Sequence, residues 1–308
     1  MCSSDLGNIT LNDGTAGGTT GLAVSANGSG NVLIEAIRND TDITANTDVV
    51  SASGHITVQA GRSVIFAANA DIRTGTTGTI DVEAGTGSIT MDATSLYTTG
   101  TGDIRMLAAQ TITVGDVSTG GNASLTATAG SILDADSAVG ADDTNLNITA
   151  VGLRLNAGTA VGATGNHVET TVGTVSARAA NGGIYLRETD ALIVGDVSVT
   201  ISKVDSAAAV STVTDATQSD VMTTGGNGNV VIRSTGGNIT LNDGTAGGTT
   251  GLAVSANGSG NVLIEAIRND TDITANTDVV SASGHITVQA GQSVIFAANA
   301  DIRTGTTG

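Results

Sequence analysis

The sequence predicts an all-β chain wound as a right-handed parallel β-helix, a β-solenoid with about 24 residues and three short strands per coil. Three observations predict it. A glycine-led phrase recurs at a fixed interval, opening at Gly30, Gly54, Gly78 and Gly102. Within each phrase apolar and polar residues alternate with the strand period of two. The composition, rich in glycine and aliphatic residues and nearly free of aromatics, suits a narrow stacked interior better than a globular core.

Taken in order, residues 1–6 (Met-Cys-Ser-Ser-Asp-Leu) have no counterpart before the second copy of the repeat described below, and read as a non-native, adapter-derived leader. The native stretch then contains no cysteine. Residues 7–308 read as a single β-helix domain. Its phrases run Gly30-Asn-Val-Leu-Ile-Glu-Ala36, Gly54-His-Ile-Thr-Val-Gln-Ala60, Gly78-Thr-Ile-Asp-Val-Glu-Ala84 and Gly102-Asp-Ile-Arg-Met-Leu-Ala108. Stacking at ~4.8 Å would place Val32, Ile56, Ile80 and Ile104 in one interior column, and Ile34, Val58, Val82 and Met106 in the next. Ala36, Ala60, Ala84 and Ala108 would form a third column, where a small side chain lets the coil turn. The alternate positions, Leu33, Thr57, Asp81 and Arg105 beside Glu35, Gln59, Glu83 and Leu107, are expected to face outward. Further strands follow each phrase, such as Ser63-Val-Ile-Phe66 and Ser88-Ile-Thr-Met91, separated by Gly, Asn, Asp, Ser and Thr, which turn a chain tightly.

Looser phrases continue to Ala191. There the rhythm breaks, and Val197-Ser-Val-Thr-Ile-Ser-Lys-Val204 with Val210-Ser-Thr-Val213 predicts a hairpin or loop projecting near 197–223. The phrase returns at Gly228. Residues 7–78 then recur as 237–308, identical except that Arg62 becomes Gln292, so that a second, much longer period runs from Gly7 to Gly237. Such near-identity points to recent duplication and a longer tandem array, of which this chain is a fragment.

Composition narrows the function. The chain has 43 Gly, no Pro, no Trp, 2 Phe and 2 Tyr, and a net charge of −18. Absence of proline fits strands that need every backbone N–H. The negative charge makes nucleic acid and anionic membranes poor partners. No apolar run is long enough to span a membrane.

Catalytic motifs are sparse. There is no Gly-x-Ser-x-Gly elbow and no Gly-Lys-[Ser/Thr] phosphate loop. Of the three histidines, His55 (with its copy His285) sits at an outward strand position facing water, and His167 stands apart. The carboxylate pairs Asp134/Asp136, Asp142/Asp143 and Glu188/Asp190 read as solvated turn residues. Glycoside hydrolysis would need two such groups held at a set separation. Calcium is the cation the turns suit best, through Asp13 in Leu11-Asn-Asp-Gly14 and Asp142 and Asp143 in Ala141-Asp-Asp-Thr144. The calcium-binding nonapeptide is approached only at Gly225-Gly-Asn-Gly-Asn-Val-Val231, where Asn229 replaces the aspartate. No other cofactor is expected.

The Gly-x-Ile-x-Val-x-Ala phrases, with Asn-Ile-Thr-Leu-Asn-Asp-Gly at 8–14 and 238–244, resemble those of large bacterial β-strand-repeat exoproteins, filamentous-haemagglutinin-like and giant adhesin-like. The resemblance covers residues 7–308 and its motifs are low in information. It implies export, display on the outer cell surface or release, and contact with a glycan or protein on a host or neighbouring cell. A cysteine-free chain suits export in the unfolded state. The expected function is a structural and adhesive stalk or passenger without catalysis. The alternatives are a carbohydrate-active β-helix enzyme and a calcium-dependent binding module. Open strand edges at the two ends give a surface for end-to-end self-association.

Overall fold

A computed structural model describes residues 2–4, 7–14, 21–136, 145–246, 251–305 and 308. The chain is all-β, a parallel β-helix, and among the described residues no helix is long and apolar enough to cross a membrane. It divides into two compact units, Met1–Gly130 with Val199–Asp215, and Ser131–Ser198 with Ala216–Gly308.

In the first unit, the glycine-led phrases form one face. Strands Val32–Ala36, Ile56–Ala60, Ile80–Ala84, Ile104–Ala108 and Asn122–Ala127 pair in parallel, each with the next. The register is the one the period predicts: Val32 lies opposite Ile56, Ile56 opposite Ile80, and Ile80 opposite Ile104. Ile34, Val58, Val82 and Met106 make the neighbouring column, fully buried. Cys2–Ser4 adds a parallel strand beside Val32–Ala36. A second face stacks Ile9–Leu11, Ile43–Ala45, Val64–Phe66, Ile89–Met91 and Ile112–Val114. A third stacks Leu22–Ala26, Asp48–Ser51, Ile72–Thr74, Leu96–Thr98 and Asp116–Ser118. Every coil thus sends side chains from three faces into one aliphatic interior, each worth ~1.5–3 kcal/mol on burial and offset by the cost of ordering the chain. The interior also holds Phe66 and Tyr97, packed edge to face with centroids 5.1 Å apart.

The recurring glycine is required by close approach of neighbouring coils. A Cβ on Gly54 would lie 2.2 Å from the carbonyl oxygen of Gly30, and one on Gly102 would lie 2.0 Å from that of Gly78. Any side chain there would push the coils apart and break the ladder.

The regular interval is local. Ile80 and Ile104 are direct partners, but after Ile104 the next partner is Ala123, a shorter step. In the second unit Val230 faces Val262, a longer step, and Val262 then faces Ile286 at the original spacing. Turns absorb the difference while strand register is kept, because register alone decides which side chains are buried. One strand of this unit, Val168–Ala179, runs round two corners without a break. It pairs with Ile184–Glu188, then Leu192–Val194, then Val221–Thr223.

Between Leu192–Val194 and Val221–Thr223 the chain makes a hairpin arm from strands Val197–Val204 and Val210–Gln218, which form a sheet of their own. Its residues 199–215 pack with the first unit. The arm is a cover: its own Val199, Ile201 and Val204 are buried.

Candidate functional site

The arm lies over the first face of the first unit, on the row expected to face water. Thr57, Asp81, Arg105 and Ser124 succeed one another up the coils in strict register. All four are buried, and Asp81 is fully inaccessible. The outward-facing expectation fails for this row because a segment far along the chain, Val199–Asp215, covers it.

Two sets of contacts hold the arm. The first is a ladder of side-chain acceptors. The N–H of Val204 donates to Thr57 Oγ1 at 2.9 Å, that of Ser202 to Thr79 Oγ1 at 3.0 Å, and that of Thr200 to Asp103 Oδ2 at 2.9 Å. These side chains complete the hydrogen bonding of one edge of the arm. His55 belongs to the same turn. It is half-buried, and its Nδ1 accepts the N–H of Thr79 at 3.1 Å, with burial pushing its pKa down. His55 therefore has a backbone partner in place of the expected exposure to water, whereas its copy His285 is exposed.

The second set is a buried ion cluster. Arg105 Nη1 donates to Asp81 Oδ1 at 2.8 Å and Glu83 Oε1 at 2.6 Å, and its Nε donates to Asp215 Oδ1 of the arm at 3.0 Å. Asp215 Oδ2 also accepts from Ser124 Oγ at 2.6 Å. Lys203, the only lysine of the chain, reaches down from the arm to Glu83 Oε2 at 2.5 Å and lies 3.9 Å from Asp81 Oδ2. Three carboxylates meet two cations. Burial, joined by the charge of Glu83, pushes Asp81 up to about 6 against the pull of Arg105 and Lys203. Burial acts on Glu83 too, but hydrogen bonds from Lys203 and Arg105 outweigh it and hold its carboxyl below the usual range.

Beside the cluster runs a cleft of about 420 Å³ lined by Gln59, Glu83, Leu107, Gln110 and Thr128. Both oxygens of Glu83 are held by cations. Ala60, Ala84, Ala109 and Ala129 complete its wall with Leu107, so the cleft is mainly apolar, with two amides and a hydroxyl as its free polar groups.

No protein-family model, curated protein or solved structure matches this chain. The functional reading therefore rests on the chain's own geometry.

The other residues singled out from sequence lie elsewhere. Asp13 is exposed, and its Oδ2 accepts the N–H of Gly21 at 2.8 Å, as Asp243 Oδ2 accepts that of Gly251 at 2.9 Å. Asp142 and Asp143 fall outside the described residues. Among the described residues no group of three or more His, Cys, Asp or Glu is placed to hold a metal ion. Two carboxylates read as solvated are buried. Asp134 accepts from Asn147 Nδ2 at 2.7 Å and from the N–H of Asp136 at 2.9 Å. Glu188 sits in the small-residue column of the second unit, in line with Ser234 and Ala266. It accepts from Thr170 Oγ1 at 2.7 Å and from the N–H groups of Thr189 at 2.9 Å and Asp190 at 3.2 Å. Burial pushes Glu188 up to about 8. Its oxygens bind a turn of the backbone together inside the coil.

Aspartates at the corner before the third face do similar work. Asp48 Oδ1 accepts the N–H of Asp71 one coil on at 3.0 Å, and Asp71 Oδ1 accepts that of Leu96 at 2.8 Å. Arg73 pairs with both carboxylates. Burial raises Asp71, and burial followed by the charge of Asp71 raises Asp116 to about 6. Part of the chain's negative charge thus serves to join coil to coil.

Proposed function

We propose that this chain is a structural and adhesive repeat region, a stalk or passenger of a secreted or surface-displayed bacterial protein of the filamentous-haemagglutinin-like kind, without catalysis. The observation that carries this reading is the coincidence of two repeats. Side chains at the glycine interval lie on one another in the interior, and the block from Gly7 to Gly78 returns as Gly237 to Gly308. A solenoid coil can be added without altering the ones already present, because each touches only its neighbours. Duplication of a whole run of coils in such a chain changes length and little else. The buried acids support the non-catalytic part: Asp81, Glu83 and Glu188 are committed to cations or to backbone N–H groups. Contact with a partner on a host or neighbouring cell falls to outer surfaces such as the cleft at Gln59 and Gln110, whose two amides suit a neutral glycan.

The test is electron microscopy of chains carrying one, two and three copies of the long unit that runs from Gly7 to Gly236. A stalk lengthens by about 45–50 Å per unit at constant width. Particles that widen as units are added overturn the proposal. Binding to immobilised neutral glycans, lost on Gln110→Ala with the fold intact, checks the adhesive part.

A further inference from the structure

We propose that the free edge of the arm, Val210–Thr214, is a self-recognition surface that pairs in antiparallel fashion with the same edge of a second copy of this chain. The inference is independent of whether the chain is a stalk.

The arm's register shows which edge is free. Asp205 N–H donates to Ala209 O at 3.0 Å and Asp205 O accepts the N–H of Ala208 at 2.9 Å, a bulged hydrogen-bonded pair that closes the turn. Along an antiparallel ladder such pairs alternate with non-bonded ones. Residues 204 and 210, 202 and 212, and 200 and 214 are then the non-bonded pairs. The hydroxyls of Thr200 and Thr214, 3.0 Å apart across the arm, agree with that assignment. Main-chain groups at non-bonded positions point away from the partner strand. On one side those of Thr200, Ser202 and Val204 meet Asp103, Thr79 and Thr57, as described above. On the other side those of Val210, Thr212 and Thr214 point away from the arm, and among the described residues the strand Val210–Gln218 pairs with Val197–Val204 alone. Val210 is 45% exposed, and Thr212 and Thr214 are exposed as well.

Proteins usually protect such an edge with charge, proline, a bulge or a cover. Between Val210 and Thr214 there is no charged residue and no proline, and the residues are Val, Ser and Thr, which a strand accommodates. The first charge beyond, Asp215, is turned down onto Arg105. The inner edge is covered by three side chains from successive coils, so the contrast between the two edges is built into the fold.

The occupant follows from symmetry and charge. A chain of net charge −18 repels its own copies over most of its surface, but not along this neutral edge. Two identical edges related by a two-fold axis satisfy each other's donors and acceptors, the isologous arrangement of most dimers. The axis falls at Thr212, because Arg154 Nε already occupies the carbonyl of Ala216 at 3.1 Å and limits the ladder on that side. Thr212 then pairs with Thr212 and Val210 with Thr214, each as a hydrogen-bonded pair.

The experiment is amide hydrogen exchange of the full chain from about 10 µM to about 1 mM, a range set by the small area of a short strand pair. The expected result is a concentration-dependent gain of protection at Val210, Thr212 and Thr214, with no change at Thr200, Ser202 and Val204. The gain disappears at Val210 and Thr214 in Thr212→Pro, which removes an outward N–H, and in Thr212→Lys, which places like charges at the axis. Exchange at the three outward amides that does not vary with concentration overturns the proposal. So does a gain that survives in both variants. Self-association through the solenoid ends leaves these amides unchanged and counts against it in the same way.

Discussion

Arg105→Gln isolates the contribution of the buried cluster to holding the arm. The guanidinium makes three hydrogen-bonded ion pairs, at 2.8, 2.6 and 3.0 Å, and its side chain is only 9% exposed. Without it, Asp81, Glu83 and Asp215 confront Lys203 alone, three negative charges against one positive in a place largely closed to water. Removing one partner of a buried ion pair costs about 3–5 kcal/mol, most of it from the charges left behind. The least costly relief is to lift the arm, since that hydrates Asp215 and Lys203 and uncovers Asp81. The open arm should then become roughly 100- to 5,000-fold more populated. Hydrogen exchange reads this directly. The N–H groups of Thr200, Ser202 and Val204, which donate to the coils beneath, should lose protection by that factor. Those of Ile56 and Ile80, which donate to the next coil at 2.9 and 3.2 Å, should not. Equal losses in both groups would mean that the arm and the coils open as one. No loss at the arm would mean that the cluster does not hold it. Either result refutes the reasoning.

Three further outcomes follow from the same geometry. Asp81 is raised from 3.8 to about 6, so its contribution to arm docking is fully present below pH 3.8 and is lost as pH rises through about 6, a change of about 3 kcal/mol. Glu83, held below 4.5, adds an opposite loss at lower pH, so protection of the Thr200 and Ser202 amides should be greatest at or below about pH 4.5 and decline from there to about pH 6. Asp81→Asn should flatten the decline between about pH 4 and 6, and an unaltered decline would place its origin elsewhere. Gly54→Ala, whose Cβ would lie 2.2 Å from the Gly30 oxygen, should destabilise the chain in urea by about 3 kcal/mol or more. Gly14→Ala, with nothing within 4 Å of the added carbon, should shift it by less than about 0.5 kcal/mol. Tyr97→Phe removes a hydroxyl that is buried with no hydrogen-bond partner, and should raise the urea midpoint by an amount worth about 1 kcal/mol; a lower midpoint would reveal a partner.

The interior of the solenoid is legible in the sequence because its rule is local and repeated. The strand period of two decides which side is buried, and the glycine interval decides what lies next to it. Both can be counted along Val32, Ile56, Ile80 and Ile104. Turn lengths are less legible, since the short step from Ile104 to Ala123 changes only residues that do not enter the core. The arm is visible as a break in rhythm, but not its target. Nothing in Val197–Val204 specifies a surface, and docking joins residues far apart in the chain, as between Arg105 and Asp215. One signal is available. Asp81 and Arg105 stand at the same outward position of successive phrases, with Glu83 close behind Asp81 and Ser124 next in the row, and the only lysine lies in the interrupting segment. Opposite charges stacked in one outward column, with a lone cation in an insertion, point to a cover over that column.

The duplicated block shows how the arm finds its place. Leu33 and Thr57 have identical counterparts in Leu263 and Thr287. Thr57 is buried and accepts the N–H of Val204. The block from Gly7 to Gly78 meets the arm through Thr57. It provides neutral acceptors, such as Thr57, that suit any strand edge. The charged partners, Asp81, Glu83 and Arg105, lie just beyond its end. An arm shifted by one coil toward the block would leave Lys203 opposite the neutral Thr57 and Gln59, and would move Asp215 from between Arg105 and Ser124 to between Asp81 and Arg105, so that Lys203 loses both its carboxylates and Asp215 gains one as a neighbour. Specificity that works by penalising the wrong register needs only a few charges. That explains why so acidic a chain places its single lysine here.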